Sequence, residues 1–111
     1  MPSDRRELVR RSYAAYQSND RRFVEDLLTD DFRFSSPVDV DIDRATYFER
    51  CWTVTERPAA FEFKRLYEVG DDVVVTYEAE NADGRRFRNT EVFEFEGDKV
   101  KRVEVYFGWN L

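Results

Sequence analysis

The spacing of apolar residues changes once along this chain, from helical to alternating, and that change constrains the fold more than any other feature. Up to Trp52 apolar side chains recur about every 3.6 residues, and from Phe61 to Leu111 they recur about every second one. Leu8, Val9, Ser12, Tyr13 and Tyr16 share one face of a first helix, capped by Ser3 with Asp4 in its first turn and ending near Ser18-Asn19. Asn19 or Asp20 caps a second helix, which buries Phe23, Val24, Leu27 and Leu28 and stops at Thr29-Asp30-Asp31. A short strand from Phe32 to Ser35 follows, ended by Pro37. Asp41 or Asp43 then caps a third helix that buries Tyr47, Phe48, Cys51 and Trp52 and closes at Pro58.

The alternating half divides into four strands at Gly70-Asp71-Asp72, Asn81-Ala82-Asp83-Gly84 and Glu96-Gly97-Asp98. Three helices followed by an antiparallel meander predict an α+β fold with the helices laid across one face of the sheet. At 111 residues the chain is expected to form one domain spanning positions 1–111, because two cores would each be too small to fold unaided.

The composition removes several kinds of chemistry. The sequence has no histidine, so neither a Ser-His-Asp nor a Cys-His relay can form, and acid-base work falls to carboxylates, Tyr or Lys. A net charge of -6 repels phosphate backbones, which argues against a nucleic-acid partner. The pairs Arg5-Arg6 and Arg10-Arg11 recur opposite the apolar stripe and read as a solvated helix face. No apolar stretch nears the roughly 18 residues that span a bilayer, and Met1-Pro2-Ser3-Asp4 lacks a signal-peptide core. A cytoplasmic protein without membrane attachment is expected. The single cysteine, Cys51, allows no intrachain disulfide and reads as a small buried hydrophobe. Asp39-Val40-Asp41-Ile42-Asp43 resembles the start of a calcium loop, but Arg44 and Arg50 occupy the positions that need Gly and Glu. No metal and no cofactor are expected.

The candidate site lies in the third meander strand. Phe87, Asn89, Glu91, Phe93 and Phe95 share one face, and its aromatic character marks it as the inner one. An ionised Glu91 there is costly without a partner, which leaves two readings. In one, burial raises its pKa and leaves a neutral acid able to donate a hydrogen bond. In the other, Arg65, which interrupts the alternation Phe61, Phe63, Tyr67, forms an internal ion pair with it. Tyr13, Tyr16, Trp52, Tyr77, Phe93 and Trp109 are expected to join Asn89 in contacting a ligand, Trp109 through an inward face of the last strand shared with Val103, Val105 and Phe107.

Tyr13-Ala14-Ala15-Tyr16 followed by Asn19-Asp20, the passage Leu28-Thr29-Asp30-Asp31-Phe32, Ser36-Pro37, and the ending from Glu91-Val92-Phe93-Glu94-Phe95 to Val105-Tyr106-Phe107-Gly108 together resemble the nuclear transport factor two-like superfamily, in particular its SnoaL-like cyclase and ketosteroid isomerase branch. The resemblance covers essentially the whole chain. It implies a cystatin-like cone roll: a strongly curved, mainly antiparallel sheet wrapped by the helices around a pocket for a small apolar or aromatic molecule. It also places Glu91 where ketosteroid isomerases carry the acid that stabilises the enolate oxygen. Ser12 falls where those enzymes have their oxyanion-hole tyrosine and Ser36 where they have the proton-shuttling aspartate, with Tyr13, Tyr16 and Asp39 nearby as displaced substitutes. The Arg-x-Asp triplet of the superfamily's epoxide hydrolases does not occur.

Three function classes follow: an isomerase, cyclase or dehydratase with Glu91 as its acid or base, a protein that binds a metabolite without turning it over, and a homodimeric association module. A homodimer through the outer sheet face, where Val74, Thr76, Thr90, Val92 and Tyr106 project, is expected in addition.

Overall fold

Each helix begins on an aspartate whose carboxylate accepts a hydrogen bond from an N–H group of the first turn. The computed structural model describes residues 4–52 and 60–111. Asp4 accepts from the Arg6 amide at 3.0 Å ahead of α1 (Arg5–Ser18), and Asp20 from the Phe23 amide at 3.3 Å ahead of α2 (Arg21–Leu27). Asp43 accepts from the Thr46 amide at 2.9 Å ahead of α3 (Arg44–Cys51). Such caps satisfy donors the helix leaves open and place negative charge at the positive end of its dipole. The first cap is therefore Asp4; Ser3 and Pro58 lie outside the described residues.

The strands are β1 (Leu28–Ser35), β2 (Ile42–Asp43), β3 (Ala60–Val69), β4 (Asp72–Glu80), β5 (Arg86–Glu96) and β6 (Lys99–Asn110). They form one sheet in the order β2-β1-β6-β5-β4-β3, antiparallel throughout except where β1 runs parallel to β6. The meander is thus as expected. β1 starts earlier than Phe32 because Leu28 already pairs with Val100, and β2 is too short to show any periodicity. The helices cover the inner face. Val9 and Tyr13 of α1, Val24 and Leu27 of α2 and Phe48 of α3 meet Phe32, Val73, Val75, Phe93 and Phe95 of the sheet. Among the described residues, no helix is long and apolar enough to cross a membrane.

Arg5 does not belong to a solvated face. Its guanidinium donates to the Gly97 carbonyl at 3.0 Å and to Asp71 Oδ1 at 3.1 Å, tying the start of α1 to two hairpin turns. Both turns need glycine, since Gly70 and Gly97 each sit at φ 62°.

Within the meander the strict alternation of faces slips at single residues, and two slips change which side chains face inward. Between Phe63 and Arg65, β3 carries one residue more than β4: Phe63 pairs with Tyr77, but Arg65 pairs with Thr76 and Leu66 with Val75. Leu66 takes the inner position, and Arg65 and Tyr67 turn outward. Of the two readings of Glu91, this corrects the one in which Arg65 forms an internal ion pair with it.

Between Phe107 and Asn110, β6 carries one residue more than β5, with Asn89 opposite Phe107 and Phe87 opposite Asn110. Trp109 consequently turns to the outer face, where the Arg88 guanidinium lies 5.0 Å from its ring centroid and the indole is 60% exposed. The expectation that Trp109 lines the interior is corrected by that slip. Phe107 keeps its inward parity but remains 55% exposed, at the end of β6 far from where Lys99 Nζ meets the Asp26 carbonyl of α2. On the outer face the Thr76 and Thr90 hydroxyls bond each other at 2.8 Å, and buried Glu78 is held by Arg86 and Arg88.

Gly108 makes the second slip possible, because a Cβ at this position would collide with the Arg88 carbonyl oxygen on the neighbouring strand. Backbone cannot yield as a side chain can, so Gly108→Ala is expected to cost roughly 1–3 kcal/mol, read as a lower urea midpoint with an unchanged slope.

Candidate functional site

The inner face of the sheet and the three helices line a cavity of about 280 Å³. Ser12, Tyr13 and Tyr16 line it from α1, Val24 and Leu27 from α2, and Tyr47 and Cys51 from α3, with Trp52 just beyond. Leu28, Phe32 and Phe34 of β1, Phe61 of β3, Tyr77 of β4, Val103 and Val105 of β6, and Phe87, Asn89, Glu91 and Phe93 of β5 complete it. The lining is aromatic and aliphatic apart from a few polar groups, the composition typical of small-molecule sites.

Of the residues singled out in the sequence, Glu91, Asn89, Tyr13, Tyr16, Trp52, Tyr77 and Phe93 come together around this one space, and Trp109 does not. The polar edge of Trp52 is used within the protein, its Nε1–H donating to Asn19 Oδ1 at 3.0 Å, so the ring alone faces the cavity. The Tyr16 hydroxyl donates to the Cys51 carbonyl at 3.1 Å. Ser12 Oγ donates to the Val9 carbonyl at 2.6 Å, while Ser36 Oγ accepts from the Val38 and Asp39 amides outside the cavity. Asp39 is buried against Arg50 at 2.9 Å, also outside it. Neither serine nor Asp39 therefore presents an acid or base opposite Glu91.

Glu91 carries the electrostatics of the cavity. Tyr77 donates from its hydroxyl to Glu91 Oε2 at 2.7 Å, and Asn89 Nδ2 donates to the Tyr77 oxygen at 3.4 Å. Asn89 Oδ1 accepts from the Gly108 amide at 3.2 Å. The Tyr13 hydroxyl lies near the same carboxyl, is buried, and has no hydrogen bond of ordinary geometry among the described residues. Its ring is clamped by those of Phe61, Phe63, Tyr77 and Phe93, with centroids 5.1 to 6.0 Å away.

Glu91 is partly buried and lines the cavity, and burial desolvates its carboxyl. Burial accordingly pushes its pKa above the ordinary carboxylate range, opposed in part by the hydrogen bond from Tyr77 and by the nearby Tyr13 hydroxyl. Burial likewise pushes the phenols of Tyr13, Tyr77 and Tyr47 up, and the Cys51 thiol up to about 11. At neutral pH these phenols and the thiol keep their protons, so Cys51 is no nucleophile. Among the described residues, no three metal-binding side chains gather into a group.

Phe34, Tyr47, Phe61 and Phe87 were recognisable only as core material in the sequence, since periodicity gives a face but not a void. The Gly108 amide was missed as a partner of Asn89. Its signal was a glycine inside an otherwise alternating strand, which marks bulges and close backbone approaches.

The SnoaL-like domain family matches residues 9–103. An NTF2-like protein of unknown function from Cytophaga hutchinsonii has a TM-score of 0.80 at 18% identity, covering 97% of this chain and 93% of that one. A proposed ketosteroid isomerase from Kribbella flavida has a TM-score of 0.80 at 21% identity, covering 94% and 77%. The LEH-like epoxide hydrolase of M. tuberculosis has a TM-score of 0.78 at 18% identity, covering 96% and 84%. No curated protein matches the sequence significantly. At such identities the likeness establishes a common fold, and chemistry has to be argued from the side chains.

A raised acid makes stability depend on pH with a definite sign. The stability that protonated Glu91 contributes is complete below the ordinary carboxylate range and is lost as pH rises through its elevated folded-state value. Glu91→Gln keeps the shape and can still accept from Tyr77. Across that window wild type should lose stability relative to the Gln variant, by at most about 1.4 kcal/mol per pH unit. Urea unfolding at a series of pH values checks this, and parallel curves would mean that Glu91 titrates like a surface carboxyl.

Proposed function

The chain belongs to the SnoaL-like domain family, and we propose that its cavity binds a small, largely apolar molecule bearing an oxygen acceptor, on which Glu91 acts as a proton donor in an isomerase, cyclase or dehydratase type of reaction. The observation that carries this reading is a carboxyl with a raised pKa, hydrogen-bonded by Tyr77 and set in an aromatic cavity without a cation among the described residues. A neutral acid in such surroundings can donate to a ligand oxygen and can pass its proton to one that gains charge. The buried Tyr13 hydroxyl supports a second contact to the same oxygen, since leaving it unpaired costs roughly 1–3 kcal/mol. A volume of about 280 Å³ lies at the lower edge of the roughly 300–1,000 Å³ of ligand sites, which favours a compact molecule.

The enzymatic descriptions of the two structural neighbours do not transfer whole. Serines stand at Ser12 and Ser36, and the sequence has no Arg-x-Asp triplet. A second reading, binding without turnover, is favoured by the engagement of both serine hydroxyls with backbone, so that neither serves as an acid or base across from Glu91. We further infer a homodimer through the outer face, supported by the exposed rings of Tyr67 and Tyr106 beside half-buried Val74 and Val92.

Two substitutions separate the two readings. Glu91→Gln retains an N–H donor but no transferable proton, so binding of apolar carbonyl compounds, followed by thermal shift and native mass spectrometry, should change only a few-fold. Turnover should then drop by about a hundredfold or more. Glu91→Leu should weaken binding by about tenfold. A wild-type protein that gives no thermal shift across apolar ketones, aldehydes and alcohols and carries no retained ligand would eliminate the binding reading, and activity undiminished in Glu91→Gln would eliminate catalysis by this acid.

A further inference from the structure

A phenol beside a neutral carboxylic acid can bond to it in two ways. Either the phenol donates to the acid's carbonyl oxygen and the acid's own proton stays available, or the acid donates to the phenol and its proton is used up inside the protein. Only the first arrangement leaves Glu91 anything to offer a ligand, so what selects between them bears directly on the site. This inference rests on the proposed role of Glu91 as a neutral donor.

The selection can be followed from the backbone. The Gly108 N–H can only donate, so the end of the Asn89 side chain 3.2 Å from it is the oxygen. The other end is therefore the nitrogen, and an amide nitrogen also only donates, so across 3.4 Å the Tyr77 oxygen receives. A phenol oxygen can accept more than one hydrogen bond, but among the described residues Glu91 Oε2, at 2.7 Å, is the acceptor in reach of the Tyr77 proton, so that proton goes to it. The first of these directions is fixed by a peptide bond. Glu91 Oε1, by contrast, accepts no hydrogen bond of ordinary geometry among the described residues.

We propose that Asn89, locked by the Gly108 amide, is a positioning residue: it holds Tyr77 as donor to Oε2, so that the proton of Glu91 resides on Oε1 and stays available to a ligand. Asn89 then acts through Tyr77, with one of its two Nδ2 hydrogens directed at the Tyr77 oxygen and its Oδ1 held by the Gly108 amide, while the second Nδ2 hydrogen remains for the cavity that it lines. The slip in β6 acquires a purpose as well, since it brings the Gly108 amide to Asn89 Oδ1.

Among the described residues, the titratable groups that line the cavity with Glu91 are Tyr13 and Tyr16 from α1, Tyr47 and Cys51 from α3, and Tyr77 from β4, and burial holds the protons of Tyr13, Tyr47, Cys51 and Tyr77. The intact chain can be tested without any ligand. In protein carrying ¹³C-carboxyl glutamate and ¹⁵N, the Asn89 side-chain amide resonances should shift through the same midpoint as the Glu91 carboxyl carbon, because ionising Glu91 polarises Tyr77 and strengthens its bond from Asn89. In infrared difference spectra, the carbonyl stretch of protonated Glu91, identified by its loss in Glu91→Gln, should shift upward or split in Asn89→Leu as the acid begins to donate to Tyr77.

Asn89 amide signals that stay fixed through the titration, or a carbonyl stretch in folded Asn89→Leu identical to wild type, would overturn the assignment while the neutral acid stands. Absence of the acid band from wild type at neutral pH would instead remove the neutral acid itself. If Asn89→Leu does not fold, the wild-type titration decides alone.

Discussion

The residue inserted in β3 between Phe63 and Arg65 turns an arginine out of the interior, and the electrostatics of the cavity follow from that displacement. Had alternation continued, a guanidinium would have stood on the inner face near Glu91, and an ion pair would have held the carboxyl ionised. With Arg65 outside and Leu66 in its place, desolvation faces no opposing cation among the described residues, and the hydrogen bond from Tyr77 and the nearby Tyr13 hydroxyl offset only part of it. A shift of one residue in a strand thus separates a carboxyl paired with a cation from one whose pKa is raised by burial.

The same cause explains which parts of the molecule were legible in the sequence. The helices were read from their apolar faces and aspartate caps, and the hairpins from their glycines, because those signals are local. Asn89 and Glu91 were placed on the inner face from alternation alone, and β5 pairs with β4 without a slip from Glu94 to Arg86, so parity holds along the strand. The neighbours on either side are where parity fails. In β3 and β6 an extra residue reverses every side chain beyond it, which put Arg65 and Trp109 on the wrong face. A bulge depends on pairing with another strand, so composition around it gives only hints such as Gly108.

Packing sets what the polar groups can do. Four aromatic rings hold the Tyr13 ring, and ring contacts of this kind contribute about 0.5–1.5 kcal/mol each beyond their buried area. A hydroxyl on so constrained a ring cannot swing away to find a partner, and it stays buried beside the carboxyl by virtue of the core that surrounds it. Tyr16 and Trp52 contrast with it: their rings pack edge to face at 5.1 Å and their polar atoms are satisfied by the Cys51 carbonyl and by Asn19. The cavity therefore has one wall whose polar atoms are bonded within the protein and one wall with donors to spare.

That asymmetry is where this chain differs from a fold description. Relatives at 18 to 21% identity share the backbone that makes a hollow between helices and sheet, and this backbone specifies no chemistry. The chemistry depends on a sequence of directed hydrogen bonds beginning at a peptide N–H and ending at a carboxyl, and each member must be of the right type for the direction to persist. Asn89 can perform its part because an amide carries an acceptor at one end and a donor at the other. A carboxylate there could accept from Gly108 but not donate to Tyr77, and an aliphatic residue could do neither. The orientation of a single amide, fixed by the peptide N–H of Gly108, thereby determines which oxygen of Glu91 carries the proton.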